Sequence, residues 1–288
     1  ETVTHLYRDN FSRMIGNWCR ERGVLYIGHV IEDMNTHMRL GYGSGHFFRA
    51  LDGQDMSGID VVLHQILPGI TDMINKSSSS RGVADPNFFI NTLPKLGASC
   101  AHLDPKKKNR AMVELYGAYG FAEGLSVMKY LTDLMLAGGM NHFVPHAFTA
   151  KDNDPDCPPH FYANGRNPQF PSFKLLMEYL QRASHVLYGG VHVANAAVFY
   201  NAEGEWCGGK YRLFQDVASV LAKAQIDFDI VPADALENAV VKDGKLVVNE
   251  EKFDALVISY SEVLPKKLLE IFDSLARKGL CVIFTDDY

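Results

Sequence analysis

The chain has 288 residues, of which 47% are hydrophobic and 22% charged, with a formal net charge of -6. That balance is ordinary for a globular protein long enough for two domains, and it excludes the membrane and disordered classes. The acidic excess argues against a nucleic-acid partner, which would want clustered Lys and Arg; the one basic run, Lys106-Lys107-Lys108, reads as a solvated loop ahead of a strand.

From Thr4 to Arg22, Leu6, Phe11, Met14, Ile15 and Trp18 recur at helical spacing, and Gly23 follows as a stop. Short apolar runs then read as buried strands, each ending on acids or imidazoles: Val24 to Asp33, Ile59 to Gln65, Ala111 to Gly117 and Asn141 to His146. Between the second and third lie loop signals, Leu67-Pro68-Gly69 and Ser77 to Gly82, and then a helix over 86–102 that runs through Pro94. Between the third and fourth, a helix spans Leu125 to Ala137 and closes on Gly138-Gly139. The runs separated by helical spacers predict neighbouring parallel strands over 24–31, 60–66, 111–116 and 142–147.

A turn-rich stretch over 151–168 precedes a helix from about Pro171 to Tyr188. From Val191 the rhythm restarts: strands over 193–200, 228–231, 255–259 and 280–285 alternate with helices over 211–224 and 264–278, and Asp243-Gly244 sits between apolar flanks as a hairpin turn. The pattern predicts an α/β protein with a boundary near residue 190. Residues 1–190 are expected to form the second half of a (β/α)8 (TIM-type) barrel with a connecting helix, because four strand-helix units cannot close an eight-stranded barrel. Residues 191–288 are expected to form a doubly wound, flavodoxin-like or glutaminase-like parallel sheet domain that is incomplete.

In such barrels the chemistry sits at the C-terminal ends of the strands. The strand ends here predict one cleft lined by Glu32, Asp33, His64, Glu114 and His146. Five cysteines are odd in number and scattered without C-x-x-C spacing, so they indicate neither a zinc site nor a disulfide framework. No apolar stretch is long enough for a membrane span, and the N-terminus shows no signal peptide.

Several motifs resemble the bacterial α-L-rhamnosidases of glycoside hydrolase family 106: Gly28-His29-Val30-Ile31-Glu32-Asp33, Gly58-Ile59-Asp60, Val113-Glu114-Leu115-Tyr116-Gly117-Ala118-Tyr119-Gly120, Gly139 to His146 and Asn167-Pro168-Gln169. The helix Tyr179 to Ser184 and the strand with Phe199-Tyr200 extend the likeness. The resemblance implies a hydrolase that cleaves terminal α-L-rhamnosyl or related deoxy-sugar linkages by inversion, on an oligosaccharide or glycoside substrate. It also implies a bacterial, secreted or periplasmic setting, and a site that requires no cofactor but could hold calcium.

Glycoside hydrolysis needs one protonated and one ionised carboxyl flanking the bond. Glu32 and Glu114 are the natural catalytic pair, each where a strand meets its loop; a buried ion pair for Glu114 and a helix cap for Glu32 are the structural alternatives. Calcium ligation by Glu32, Asp33 or Glu114 is the other alternative. His29, His64, His146, Asp33 and Tyr116 are the expected substrate-binding residues. The stretch Gly41 to Phe48 lacks the Lys-Ser/Thr of a phosphate loop and reads as a substrate loop. Cys207 invites comparison with a glutaminase nucleophile, but no His-Glu pair is placed after it, so it reads as structural. Rival functions are a carbohydrate-binding or assembly module that kept the fold without catalysis, a β-galactosidase-like glycosidase, and a Rossmann-like nucleotide binder, which the absence of G-x-G-x-x-G ranks last.

Overall fold

The computed structural model describes residues 1–30, 38, 43–71, 74–75, 83–151 and 154–285. α1 (Thr2–Tyr7) runs through a π-helical turn into α2 (Arg13–Arg20), and Gly23, at φ 70°, ends it. The apolar stripe of this helix does not face the core: Leu6, Phe11, Met14 and Trp18 are exposed, and the docked side carries Ser12 and Gly16. Close backbone approach explains the inversion, because a Cβ on Gly16 would meet the Gly53 carbonyl oxygen at 2.0 Å.

α3 (Phe47–Ala50) leads to β1 (Ser57–Val61), and the two-residue strands β2 (Ile74–Asn75) and β3 (Val83–Ala84) pair antiparallel. The helix expected over 86–102 is two helices, α4 (Pro86–Phe89) and α5 (Leu93–Leu103). Pro94 is the reason: it lacks an N–H and is tolerated only in a first turn, which is where α5 places it. β4 (Ala111–Leu115), α6 (Leu125–Ala137), β5 (His142–Pro145) and α7 (Phe170–Leu187) follow, each close to its expected bounds.

β1, β4 and β5 form a parallel sheet in that order. Residues 24–30 do not join it as a strand, contrary to expectation. The Asp55 carboxylate accepts the Tyr26 N–H that a ladder would use, the Asp55 N–H donates to the Tyr26 carbonyl, and Val24, Leu25 and Ile27 stay exposed. The segment still runs against β1, close enough that a Cβ on Gly58 would meet the Gly28 oxygen at 1.9 Å.

The second half holds β6 (Ala196–Phe199), α8 (Ala202–Cys207), α9 (Phe214–Lys223), β7 (Phe228–Val231), α10 (Ala233–Leu236), the antiparallel β8 (Val240–Lys242), β9 (Lys245–Val248) and β10 (Glu251–Phe253), then β11 (Ala255–Ile258), α11 (Lys266–Arg277) and β12 (Cys281–Phe284). Asp243 and Gly244 turn the β8–β9 hairpin with positive φ, as two-residue hairpin loops require. β7, β6, β11 and β12 lie side by side and all parallel. Numbered within that sheet the order is 2-1-3-4, which opens the flavodoxin-like order.

The two parallel sheets share one apolar core. Every residue of α5 from Leu93 to His102 is buried, as a helix covered on all sides must be. Ile59, Val113 and Leu96 belong to the same buried cluster as Val198, Phe214, Phe228 and Ile230, so the expected break near residue 190 does not divide the packing. A second cluster, with Phe199, Leu256, Ile258 and Phe272, fills the far face of the second sheet under α11. No helix among the described residues is long and apolar enough to cross a membrane.

Candidate active site

Glu114 lies near the end of β4, in register with Asp60 of β1 on one side and Val144 of β5 on the other. Register partners in a sheet share a face, so the two carboxylates stand side by side. The His29 imidazole lies over them, with Nε2 3.4 Å from Glu114 Oε2 and Nδ1 3.9 Å from Asp60 Oδ1. The His29 ring is held through Nδ1, 3.0 Å from the Val30 carbonyl oxygen. The His29 bond holds the Glu114 carboxyl below the ordinary glutamate range against the opposing effect of partial burial, and the positive charges of His29 and His146 add to it. Glu114 is therefore ionised at neutral pH while 28% of its side chain remains open to solvent.

His146 follows β5, and its N–H donates to the Leu115 carbonyl, extending the ladder by one bond. Its Nε2 lies 3.8 Å from Asp156, and its buried Nδ1 has no hydrogen-bond partner among the described residues. Asp60 Oδ1 is also buried without such a partner. Buried polar atoms in native proteins are normally satisfied, so two such atoms beside an ionised carboxylate set this strand end apart from the core. Gly117 permits the crowding there: a Cβ would sit 3.3 Å from the His146 ring.

The structure thus brings together His29, Glu114 and His146, and adds Asp60, whose place in the Gly58-Ile59-Asp60 strand was visible but whose pairing with Glu114 was not. Leu63 and His64 both take left-handed backbone, and the exposed His64 ring rests on Tyr119 at 4.8 Å. Tyr116 is a correction. It has no exposed surface, packs edge-on against Phe161, and bonds Thr132 Oγ1 at 2.6 Å, because its φ of 81° turns the side chain under the sheet. It is a core residue and cannot touch substrate. Glu32 and Asp33, with the loop residues Gly41, Tyr42 and Ser77 to Gly82, lie outside the described residues.

Glu123, in the loop after β4, carried no sequence signal. It is 5% exposed, both carboxyl oxygens lack hydrogen-bond partners among the described residues, and burial pushes its pKa up to about 8. Calcium takes six to eight oxygen ligands. Asp60 and Glu114 are the described carboxylates in contact with His29, while Glu32 and Asp33, the other expected calcium ligands, lie outside the described residues. Well-formed concavities lie elsewhere, one of about 450 Å3 lined by Arg13, Arg49, Lys107 and Asp234. Cys207 ends α8, exposed, with its thiol raised by burial of the sulfur and by nearby acids; no described histidine hydrogen-bonds it, which does not describe an activated nucleophile.

A family model described as alpha-L-rhamnosidase, glycoside hydrolase family 106, matches residues 77–286. The chain belongs to that family. The matched segment carries Glu114, His146 and the whole second sheet. Among solved structures, a rhamnosidase from Novosphingobium sp. PP1Y is similar over 96% of this chain, with 17% identity and a TM-score of 0.64. At that identity the likeness speaks for the fold alone. This chain spans 24% of that protein's length. No curated protein matches the chain.

Proposed function

We propose that this chain supplies part of the active site of an α-L-rhamnosidase-type glycoside hydrolase, with Glu114 as the ionised carboxylate that activates water. The carrying observation is the Glu114–His29 contact of 3.4 Å at a parallel strand end, which favours the charged form of the glutamate. A general base must be ionised, whereas the acid of the pair must hold its proton. In this reading His29 keeps Glu114 charged, Asp60 faces the same imidazole, and the partly exposed His29 and His146 rings bond sugar hydroxyls. The protonated partner is Glu32, which follows His29 closely in the chain. The substrate is a glycan or glycoside with a terminal α-L-rhamnosyl unit.

The test uses Glu114→Gln in the full-length enzyme, with aryl α-L-rhamnosides bearing good and poor leaving groups. Loss of the base lowers turnover on both by roughly 10²–10⁴-fold, while loss of an acid would spare the good leaving group. Near-normal turnover on both substrates rejects the assignment.

A further inference from the structure

A second constellation lies away from the strand-end carboxylates. His102 stands in the last turn of α5, Asp229 in the middle of β7, Glu251 at the start of β10, and His192 in the segment joining α7 to β6. His102 Nδ1 lies 3.0 and 3.2 Å from the two Asp229 oxygens. His192 Nδ1 lies 3.3 Å from Asp229 Oδ2 and 3.3 Å from Glu251 Oε2. One donor atom from each of the four falls within 4.8 Å of all the others. The two imidazoles are stacked with centroids 4.2 Å apart, and Asp229 is fully buried.

We propose that these four residues hold a divalent metal ion of the zinc type, in a closed structural site that fastens α5 to the second sheet. Two imidazoles and two carboxylates are the nitrogen and oxygen donors that zinc accepts in four-coordinate sites, at roughly 2.0–2.2 Å. A tetrahedron of that size separates neighbouring donors by roughly 3.3–3.6 Å, so the His102–Asp229, His192–Asp229 and His192–Glu251 contacts of 3.0–3.3 Å nearly fit it, while the widest spacing, up to 4.8 Å, must close on the ion. The charge also balances: a divalent ion neutralises two carboxylates that sit in the protein interior, where unpaired charge is costly.

The surroundings are arranged as metal sites arrange them. A ligating imidazole directs its other nitrogen to a carboxylate, and a ligating carboxylate is itself hydrogen-bonded. His192 Nε2 lies 3.1 Å from Asp227 Oδ2, which leaves Nδ1 facing the cluster, and Asp227 is in turn paired with Lys95. Asp229 Oδ1 accepts from Ser99 Oγ at 2.9 Å. None of the four takes part in the Glu114 cluster, and each comes from a different element, so an ion here would tie segments that are distant in the chain.

The experiment strips the full-length protein with a chelator and titrates Zn2+ into it and into His102→Gln/His192→Gln. The wild type should bind one equivalent more than the double variant, and Zn2+ should raise the Tm of the wild type only. Equal stoichiometry in the two proteins, or a wild-type Tm indifferent to Zn2+, overturns the proposal. Should the double variant fail to fold, Asp227→Asn decides: its side chain is half exposed and does not touch the ion. It should weaken Zn2+ binding roughly 10–100-fold, and an unchanged affinity rejects the site.

Discussion

Asp60 and Glu114 are paired directly across the β1–β4 ladder, and a single imidazole, His29, reaches toward both. The His29 bond, together with the charges of His29 and His146, outweighs partial burial and holds the Glu114 carboxyl below the ordinary glutamate range, so the position of His29 favours the charged form of Glu114.

That relationship sets a pH dependence. Glu114 is depressed by His29, so it remains ionised as pH falls through the ordinary glutamate range and protonates only below it. In His29→Ala the carboxyl should titrate nearer its unperturbed value of about 4.3, and the acid limb of kcat/KM should move to higher pH. The pH profile of the full-length variant checks this; an acid limb identical to wild type removes His29 from the role.

Gly58→Ala acts on the same imidazole from a distance. The new Cβ would lie 1.9 Å from the Gly28 oxygen and 3.1 Å from Met112 Cε, so the segment carrying His29 must shift. We expect destabilisation of roughly 1–3 kcal/mol from overpacking, read from denaturant midpoints, together with an acid limb displaced as in His29→Ala. A stable variant with a wild-type pH profile would show that this backbone contact does not position His29.

Tyr116→Phe separates core from cleft. It removes the hydroxyl bonded to Thr132 and leaves the ring in place. Stability should fall by roughly 1 kcal/mol, the usual net value of a hydrogen bond, while KM and kcat hold at their wild-type values. A raised KM would return Tyr116 to the substrate surface.

Glu123 gives the opposite sign to Glu114. Burial raises its folded pKa to about 8, above the unfolded value, so its contribution to stability is complete at low pH and declines as pH rises from about 4.3 to about 8. Glu123→Gln has no proton to lose, so its stability should fall less across that window, by an amount on the order of a few kcal/mol. Thermal or denaturant unfolding of both proteins at the two ends of the window measures the difference, and parallel curves would refute the burial argument.

Much of the fold was legible locally. The helix Leu125–Ala137 and its Gly138-Gly139 stop, the strand Ala111–Leu115 and the Asp243-Gly244 hairpin follow from periodicity and turn chemistry that neighbouring residues carry among themselves. A proline within an apolar helical pattern fits either a kinked helix or the first turn of a new one, and Pro94 stands in the first turn of α5. The N-terminal helix was legible from its spacing, but which side docks was not, since Ser12 and Gly16 pack against Gly53 while Leu6, Phe11, Met14 and Trp18 are exposed.

By itself, the sequence determined the alternation of strands and helices, the polar residues that end the strands, and membership in the rhamnosidase family through motifs in order. Tertiary structure alone decided that Asp60 faces Glu114, that His29 comes over both, that Tyr116 turns inward, and that His102, His192, Asp229 and Glu251 converge. The division has a physical cause. Secondary structure is encoded in neighbouring residues, while register and crossover geometry depend on packing between distant segments, and a shift of one residue in strand register would send Asp60 or Glu114 to the other face of the sheet.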